Sequence, residues 1–237
     1  MSYRAHSEGP IGAIRMGLMG FLSAILLCTI AGASAPSPVG SGAGKGSVPP
    51  HNHPVTGAKL YAISPGLDFD PKAKQIYLES RVCLDSGILE FLLVQGKHKA
   101  YESALSTEVS PSQTMTAMLL LGWKPEDSLN IILLAGKDTL PLTRLIRNRD
   151  TTVAVGRPLH WRLTGSNYAE TRTGKSPFAA DREGIHIALV DRSEALLQVQ
   201  GEKKNPYHNA YFGYEMNRSA RPKSGTAITL ILEKAGP

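Results

Sequence analysis

The chain has 237 residues, 26 Lys and Arg against 20 Asp and Glu, a formal net charge of +6 at pH 7, and two cysteines. Cys28 falls in an N-terminal apolar run, which leaves Cys83 alone in the rest of the chain. That excludes an internal disulfide there, an iron–sulfur cluster, a cysteine zinc site and, with no CxxCH, covalent haem, so no cofactor is expected.

The basic excess is scattered over Lys97 and Lys99, Arg144 to Arg149, Lys203 and Lys204, and Arg218 to Lys223. It lacks the cationic stripe with interleaved aromatics that nucleic acid calls for, and it reads as solubility with some attraction to anionic surfaces.

Arg4 and Arg15 precede Met16–Ala33, a run of apolar and small residues without charge. Ala31-Gly32-Ala33 then offers small residues of the kind a signal peptidase reads, with Ala33-Ser34-Ala35 as a second, weaker site before Pro36. This is the pattern of a secretory signal. The length also approaches that of a bilayer span, so an uncleaved signal anchor is the alternative, with the basic end in the cytoplasm. Either way residues 1–33 predict export to the periplasm or outside, with membrane contact through 16–33 if the run is retained. Leu27 before Cys28 argues against a lipoprotein site.

Residues 34–56 are rich in Gly, Pro and Ser and predict a flexible linker. Residues 57–237 then form one domain large enough for a sizeable core. Within the linker, GSGAGKGS lacks the first glycine and the closing Ser or Thr of a phosphate loop. His51 and His53 are two imidazoles where structural zinc wants four ligands.

Gln75–Val82 alternates apolar and polar, as a half-buried strand does. Asp85-Ser86-Gly87 marks a turn, Ile88–Val94 reads as one buried strand, and Lys99–Leu105 as another. Ser110 and Pro111 open a helix over about 111–121, ended by Gly122 with Pro125 beyond. Further strands are expected at 129–134, 140–146, 159–164, 186–190, 196–199, 210–215 and 227–232. The fold class is α+β, mainly antiparallel β, a sandwich or barrel-like sheet with one short helix packed on it.

No GxSxG or HExxH is present. Glu90 stands inside an apolar run, where a carboxylate is costly unless paired; Arg81, Lys97 or Lys99 are its candidate partners. Glu90, Glu102 and Ser103 are expected to form a polar cluster on one sheet face, with Asp181 a further candidate in a loop. Residues 205–222 gather Tyr207, Tyr211, Phe212 and Tyr214 beside Arg218 and Arg221, a composition favoured at binding surfaces. Cys83 is expected to be a buried, unreactive small hydrophobe.

Three blocks carry a resemblance: VCLDSGILEFLLVQGKHKAYESAL with PSQTMTAMLLLGWKP, then WRLTGSNY with FAADREGIHIALVDRSEALL, then GTAITLIL. From about Gln75 onward the chain resembles the YdjY-like family of exported bacterial proteins. The resemblance implies an exported, sheet-rich domain of unassigned activity and no catalytic residues. Its recurring positions here are Cys83, Leu89, Glu90, Glu102, Ser103, Gly122, Trp161, Gly165, Ser166 and Asp181. Tyr101 stands where the family places a histidine.

The expected function is a non-catalytic binding or accessory domain whose partner is an envelope protein or cell-surface component. The alternatives are an envelope hydrolase or transferase using the carboxylate and serine cluster, and an accessory subunit of a membrane redox or transport complex docking through 205–222.

Overall fold

The strands, in chain order, are β1 His51–Asn52, β2 Lys59–Ser64, β3 Leu67–Asp70, β4 Gln75–Val82, β5 Ile88–Leu89, β6 Phe91–Gln95, β7 Ser103–Thr107, β8 Ser128–Ala135, β9 Asp138–Leu140, β10 Ile146–Asn148, β11 Trp161–Leu163, β12 Ile185–Ala188, β13 Leu197–Val199, β14 Tyr214–Met216 and β15 Ala227–Lys234. Among the described residues two α-helices, α1 Pro111–Leu120 and α2 Ala179–Glu183, join them. The computed structural model describes residues 51–52, 57, 59–97, 99–150, 159–167, 178–200, 213–219 and 222–236. The expected leader, most of the linker, and Tyr207 and Tyr211 lie outside the described residues.

The protein is mainly β. Its large sheet closes on itself in the ring β4–β15–β8–β11–β13–β12–β6–β7, and β7 returns to β4 through Arg81↔Ser106 and Val82↔Leu105. Eight strands enclose a space just wide enough for side chains to fill. Leu78, Leu93, Leu105, Leu133, Trp161 and Leu230 fill it, all essentially without solvent contact. The alternation on β4 puts Ile76, Leu78 and Val82 inward and leaves Glu79 and Arg81 exposed on the outer face. The β2–β3 hairpin continues from β4, and Leu60 of β2 packs against the outward Tyr77, Leu134 and Ile231. A separate three-stranded sheet runs β10–β14–β5.

The expected strand Ile88–Val94 divides at Glu90. Residues before it pair with β14 in the small sheet, and residues after it enter the barrel. The sheet is also not wholly antiparallel: β6 with β7, and β12 with β13, run parallel. A parallel neighbour obliges the chain to travel back along the strand. The chain turns back after Gln95 and reaches β7 through a 3-10 turn at Ala100–Glu102, so the strand expected from Lys99 begins only at Ser103. The strand expected over 140–146 is broken at Pro141, which lacks a donor; a 3-10 turn at Leu142–Arg144 follows, and β10 joins the other sheet. Where linker was expected, His51 and Asn52 pair with Leu60 and Lys59.

The helix expected at 111–121 is α1. Ser110 Oγ accepts from the Gln113 amide at 3.3 Å, and the Gln113 side chain accepts from the Ser110 amide at 2.9 Å, a reciprocal cap. Gly122 ends the helix in the left-handed region at φ +74°, while the Trp123 amide donates to Met118 O at 3.0 Å. Ala117, Met118 and Leu121 turn into the core. The short α2 was not expected; it too ends at a left-handed glycine, Gly184, whose carbonyl accepts from the Gln95 amide at 2.8 Å.

Replacing Gly122 by Ala forces a side chain into the left-handed region at a helix end. We expect Gly122→Ala to lower unfolding free energy by about 1 kcal/mol, read as a lower urea midpoint at unchanged m-value.

Candidate functional site

Glu90 is buried, with 6% of its surface exposed, at the point where the chain passes from the small sheet into the barrel. Its amide donates to Glu102 O at 3.0 Å, and its carbonyl accepts from the Leu189 amide at 2.8 Å. The carboxylate is paired, but with Arg192 Nη2 at 2.6 Å rather than with Arg81, Lys97 or Lys99. Arg81 lies on the outer face of β4, and Lys99 bonds Glu183 at 2.7 Å. The bond to Glu90 raises the Arg192 guanidinium above its ordinary value, with smaller contributions from the charges of Glu194 and Glu102. The partner was not readable because Arg192 lies 102 positions away, on a loop that only the fold brings back.

That loop is tied down on both sides. Thr164 Oγ1 donates to Leu196 O at 2.8 Å and Ser166 Oγ to Glu194 O at 2.7 Å. The Arg192 amide donates to the Gln198 side chain at 3.2 Å. The Thr164-Gly165-Ser166 turn is thus a clamp. It holds Ser166 at φ +58° and Gly165 at φ +75° with Pro125 packed close.

The other expected residues separate. Ser103 is fully buried and its hydroxyl donates to Leu105 O at 2.7 Å, so it joins no polar cluster with Glu90. Glu102 contributes to the electrostatic field of Arg192. Asp181 is exposed on α2 and accepts from the Ser112 amide at 2.7 Å, a carboxylate at the N-terminal end of α1. Tyr214 is buried on β14 instead of facing outward, and Arg218 is exposed in the turn that follows. Cys83 is half-buried where full burial was expected. Burial pushes its thiol up, against a smaller opposing effect of a bond with Ser106.

His186 is 1% exposed on β12. Its Nε2 lies 3.0 Å from Val109 O, which only accepts, so Nε2 carries the proton and Nδ1 accepts from Thr114 Oγ1 at 3.3 Å. Burial pushes this imidazole down to about 4, against the pull of Val109 O and Asp181. It is a neutral core histidine. Among the described residues no group of His, Cys, Asp and Glu is placed to hold a metal ion.

A concave surface lies elsewhere, on the outside of the barrel. Along one edge of β4 the first half pairs with β3 and the last two residues pair with β7. Between them the strands part, and a groove of about 610 Å³ opens. Glu79 and Arg81 enter it from β4, Glu108 from the end of β7, and Ser106 and Thr229 add hydroxyls. Tyr77, Val109 and Leu134 supply apolar wall. Glu79, Arg81 and Glu108 form no ion pair among the described residues. The sequence signal for this site was the outward pair Glu79 and Arg81 of an alternating strand. The parting of β3 from β7 had no local signal.

His186 sets an acid limit on stability. The native histidine refuses a proton that the unfolded one takes up near its ordinary 6.5. Stability is therefore full above that value and declines as pH falls from about 6.5 to about 4, by roughly 3 kcal/mol. Urea midpoints across that window should fall for the native chain and stay flatter for His186→Gln. Asp127 is held below the ordinary carboxylate value first by Lys234, and Glu183 first by Lys99. Their contributions are lost only as pH falls through their own lower values. Separately, Arg192→Ala should cost about 1–2 kcal/mol, because it strands a buried carboxylate while the arginine itself is partly solvated. Adding Glu90→Gln should recover part of that loss in a double-mutant cycle.

No protein-family model matches this chain, no curated protein matches it, and no solved structure matches it.

Proposed function

We propose that this chain is an exported binding or accessory domain of the cell envelope, and that it holds its partner in the groove beside β4. The observation that carries the reading is that Glu79, Arg81 and Glu108 there form no ion pair among the described residues. Glu79, Arg81 and Glu108 stand in one concavity on a rigid barrel wall, beside two hydroxyls and an apolar wall. Concave sites of this make-up, apolar with a few convergent polar groups, are where ligands bind. The barrel interior is filled with side chains and offers no such space.

Export is supported by the uncharged run Met16–Ala33 and its small-residue end. The resemblance to YdjY-like exported proteins supports the same reading. A non-catalytic role is supported by geometry: Ser103 and His186 are buried and committed to backbone carbonyls, and Glu90 is neutralised by Arg192. The partner is an envelope protein or cell-surface component that offers one basic and one acidic group to the groove.

The test is cross-linking in cells followed by affinity capture, with the full chain and its Glu79→Lys and Arg81→Glu variants. Both residues are exposed, so the unfolding free energies read from their urea midpoints should change by less than about 0.5 kcal/mol. We expect a reproducible partner with the native chain and about tenfold less of it with either variant. A partner retained by both variants removes the groove from the reading. No partner above background removes the interaction role itself.

A further inference from the structure

We propose that His186 is a proton-operated latch on one wall of the groove: on taking up a proton it releases the connection 108–114, which runs from β7 into α1 and carries Glu108 and Val109 to the groove. Only what the latch controls rests on the groove reading.

The imidazole fastens this connection to the barrel. His186 sits on β12, which pairs with β6 along one edge and with β13 along the other. Both ring nitrogens are spent on the connection. Nε2 donates to Val109 O at 3.0 Å, and Nδ1 accepts from Thr114 Oγ1 at 3.3 Å. These two residues bracket the cap of α1, so one ring holds the entry to the helix and its first turn. Among the described residues the other side-chain bonds of the connection are local or at the surface. The Val109 amide donates to Thr107 Oγ1 at 3.2 Å, Ser110 and Gln113 cap each other, and Asp181 holds the Ser112 amide at 2.7 Å. Glu108 and Val109 line the groove, and a Cβ built on Gly66 would stand 3.6 Å from both Val109 Cγ2 and Glu79 Oε2. The latched segment is therefore a wall of the groove.

A proton at Nδ1 upsets this arrangement in two ways. It turns an acceptor into a donor facing Thr114 Oγ1, and that hydroxyl accepts only by swinging its own proton to Ser110 O, 3.5 Å away. It also places a positive charge, 1% exposed, under the first turn of a helix, whose free amides are already the positive end. Among the described residues of the elements packed on β12, no buried carboxylate answers that charge. α1 has no charged residue, and its exposed Leu119 and Leu120 lie at the far end. β6 and β13 have none either. On α2, Asp181 attracts the imidazolium from the surface, while Glu183 is bonded by Arg182 and Lys99. Glu108, beside Val109, is exposed.

Water relieves such a charge, and strand pairing decides what gives way to admit it. β12 is held on both edges, whereas residues 108–110 belong to no strand. The connection opens while the barrel stays closed, as a local unit of lower stability does. A partner held at Glu108 and a proton on His186 then oppose each other by linkage.

The experiment is hydrogen exchange on the full chain, read at single amides from about pH 6.5 to about pH 4.5 and corrected for intrinsic exchange, with Leu78 and Leu230 of the barrel as the global reference. We expect the opening constants of Val109, Gln113 and Thr114 to rise about thirtyfold over that range, as a group passing from about 4 when closed to its ordinary 6.5 when open requires. They should do so at a lower free energy and with a weaker urea dependence than the barrel amides. His186→Gln keeps a donor for Val109 O and an acceptor for Thr114 but does not titrate, so its rise should stay below about threefold.

Exchange of these amides at the same free energy and urea dependence as Leu78 and Leu230 would mean that only the whole barrel opens, which overturns the latch. An equal rise in His186→Gln would assign the proton to another group and also overturns it. None of this requires a partner, so the groove reading fails separately, when the native chain captures nothing at about pH 7. A captured partner should be released by a wash at about pH 4.5 several-fold more from the native chain than from His186→Gln. Equal release overturns the link between latch and groove.

Discussion

The fold depends on a short ladder of two residue pairs between β4 and β7, Arg81↔Ser106 and Val82↔Leu105. Without it the large sheet is an open run of strands with edges at both ends, and open edges invite pairing with other chains. With it the ring closes and the interior becomes a sealed core. The same ladder fixes the candidate site. β4 serves β15 along one edge and must divide its other edge between β3 and β7. Two strands cannot occupy one edge at the same level, so they part between Leu78 and Arg81, and the parting is the groove. Closure and concavity are one event in this structure.

The Glu90–Arg192 pair stands at the second junction, where the chain changes sheets. An apolar residue would bury at less cost than an ion pair does. The position has a geometric demand beyond burial. The Glu90 peptide bonds to Glu102 on one side and Leu189 on the other, and the side chain fastens the 190s loop to the same point. Thr164 and Ser166 hold that loop from the opposite direction. The blocks that stand out in the sequence thereby meet in one region. Several of their polar residues act on backbone groups, which leaves few of them for a ligand.

How much of this was legible depends on the range of the interaction. Ser110, Pro111 and Gly122 announce α1 because a helix end is capped within a few residues, and the structure places it there. The alternation of Gln75–Val82 announces a half-buried strand because the pleat is local. Glu90 announces only that it needs a cation; which one depended on a loop 102 positions away. Ile88–Val94 looked continuous because composition records burial and not the sheet in which a residue is buried. Tyr214 looked like a surface aromatic for the same reason: an amphipathic stretch does not say which face the second sheet will cover. Parallel pairing of β6 with β7 left no trace in residue type, since it is a matter of where the chain returns.

These placements bear on function through what they leave over. A buried histidine bonded to a carbonyl, a buried serine bonded to a carbonyl and a neutralised carboxylate are groups already used by folding. Their chemistry is set by partners that would have to be broken before a substrate could be met. Glu79, Arg81 and Glu108 have no such obligations among the described residues; Glu79 and Arg81 stand on β4, which pairs with β15 along this stretch, and Glu108 follows the end of β7. A charge held on a rigid wall loses little conformational freedom when a partner arrives, so even a few contacts contribute to affinity there. The exposed leucines of α1 are the apolar counterpart of those charges, side chains that the fold places but does not use. Among the described residues the barrel is filled inside, and its uncommitted charged side chains stand outside, in the groove beside β4.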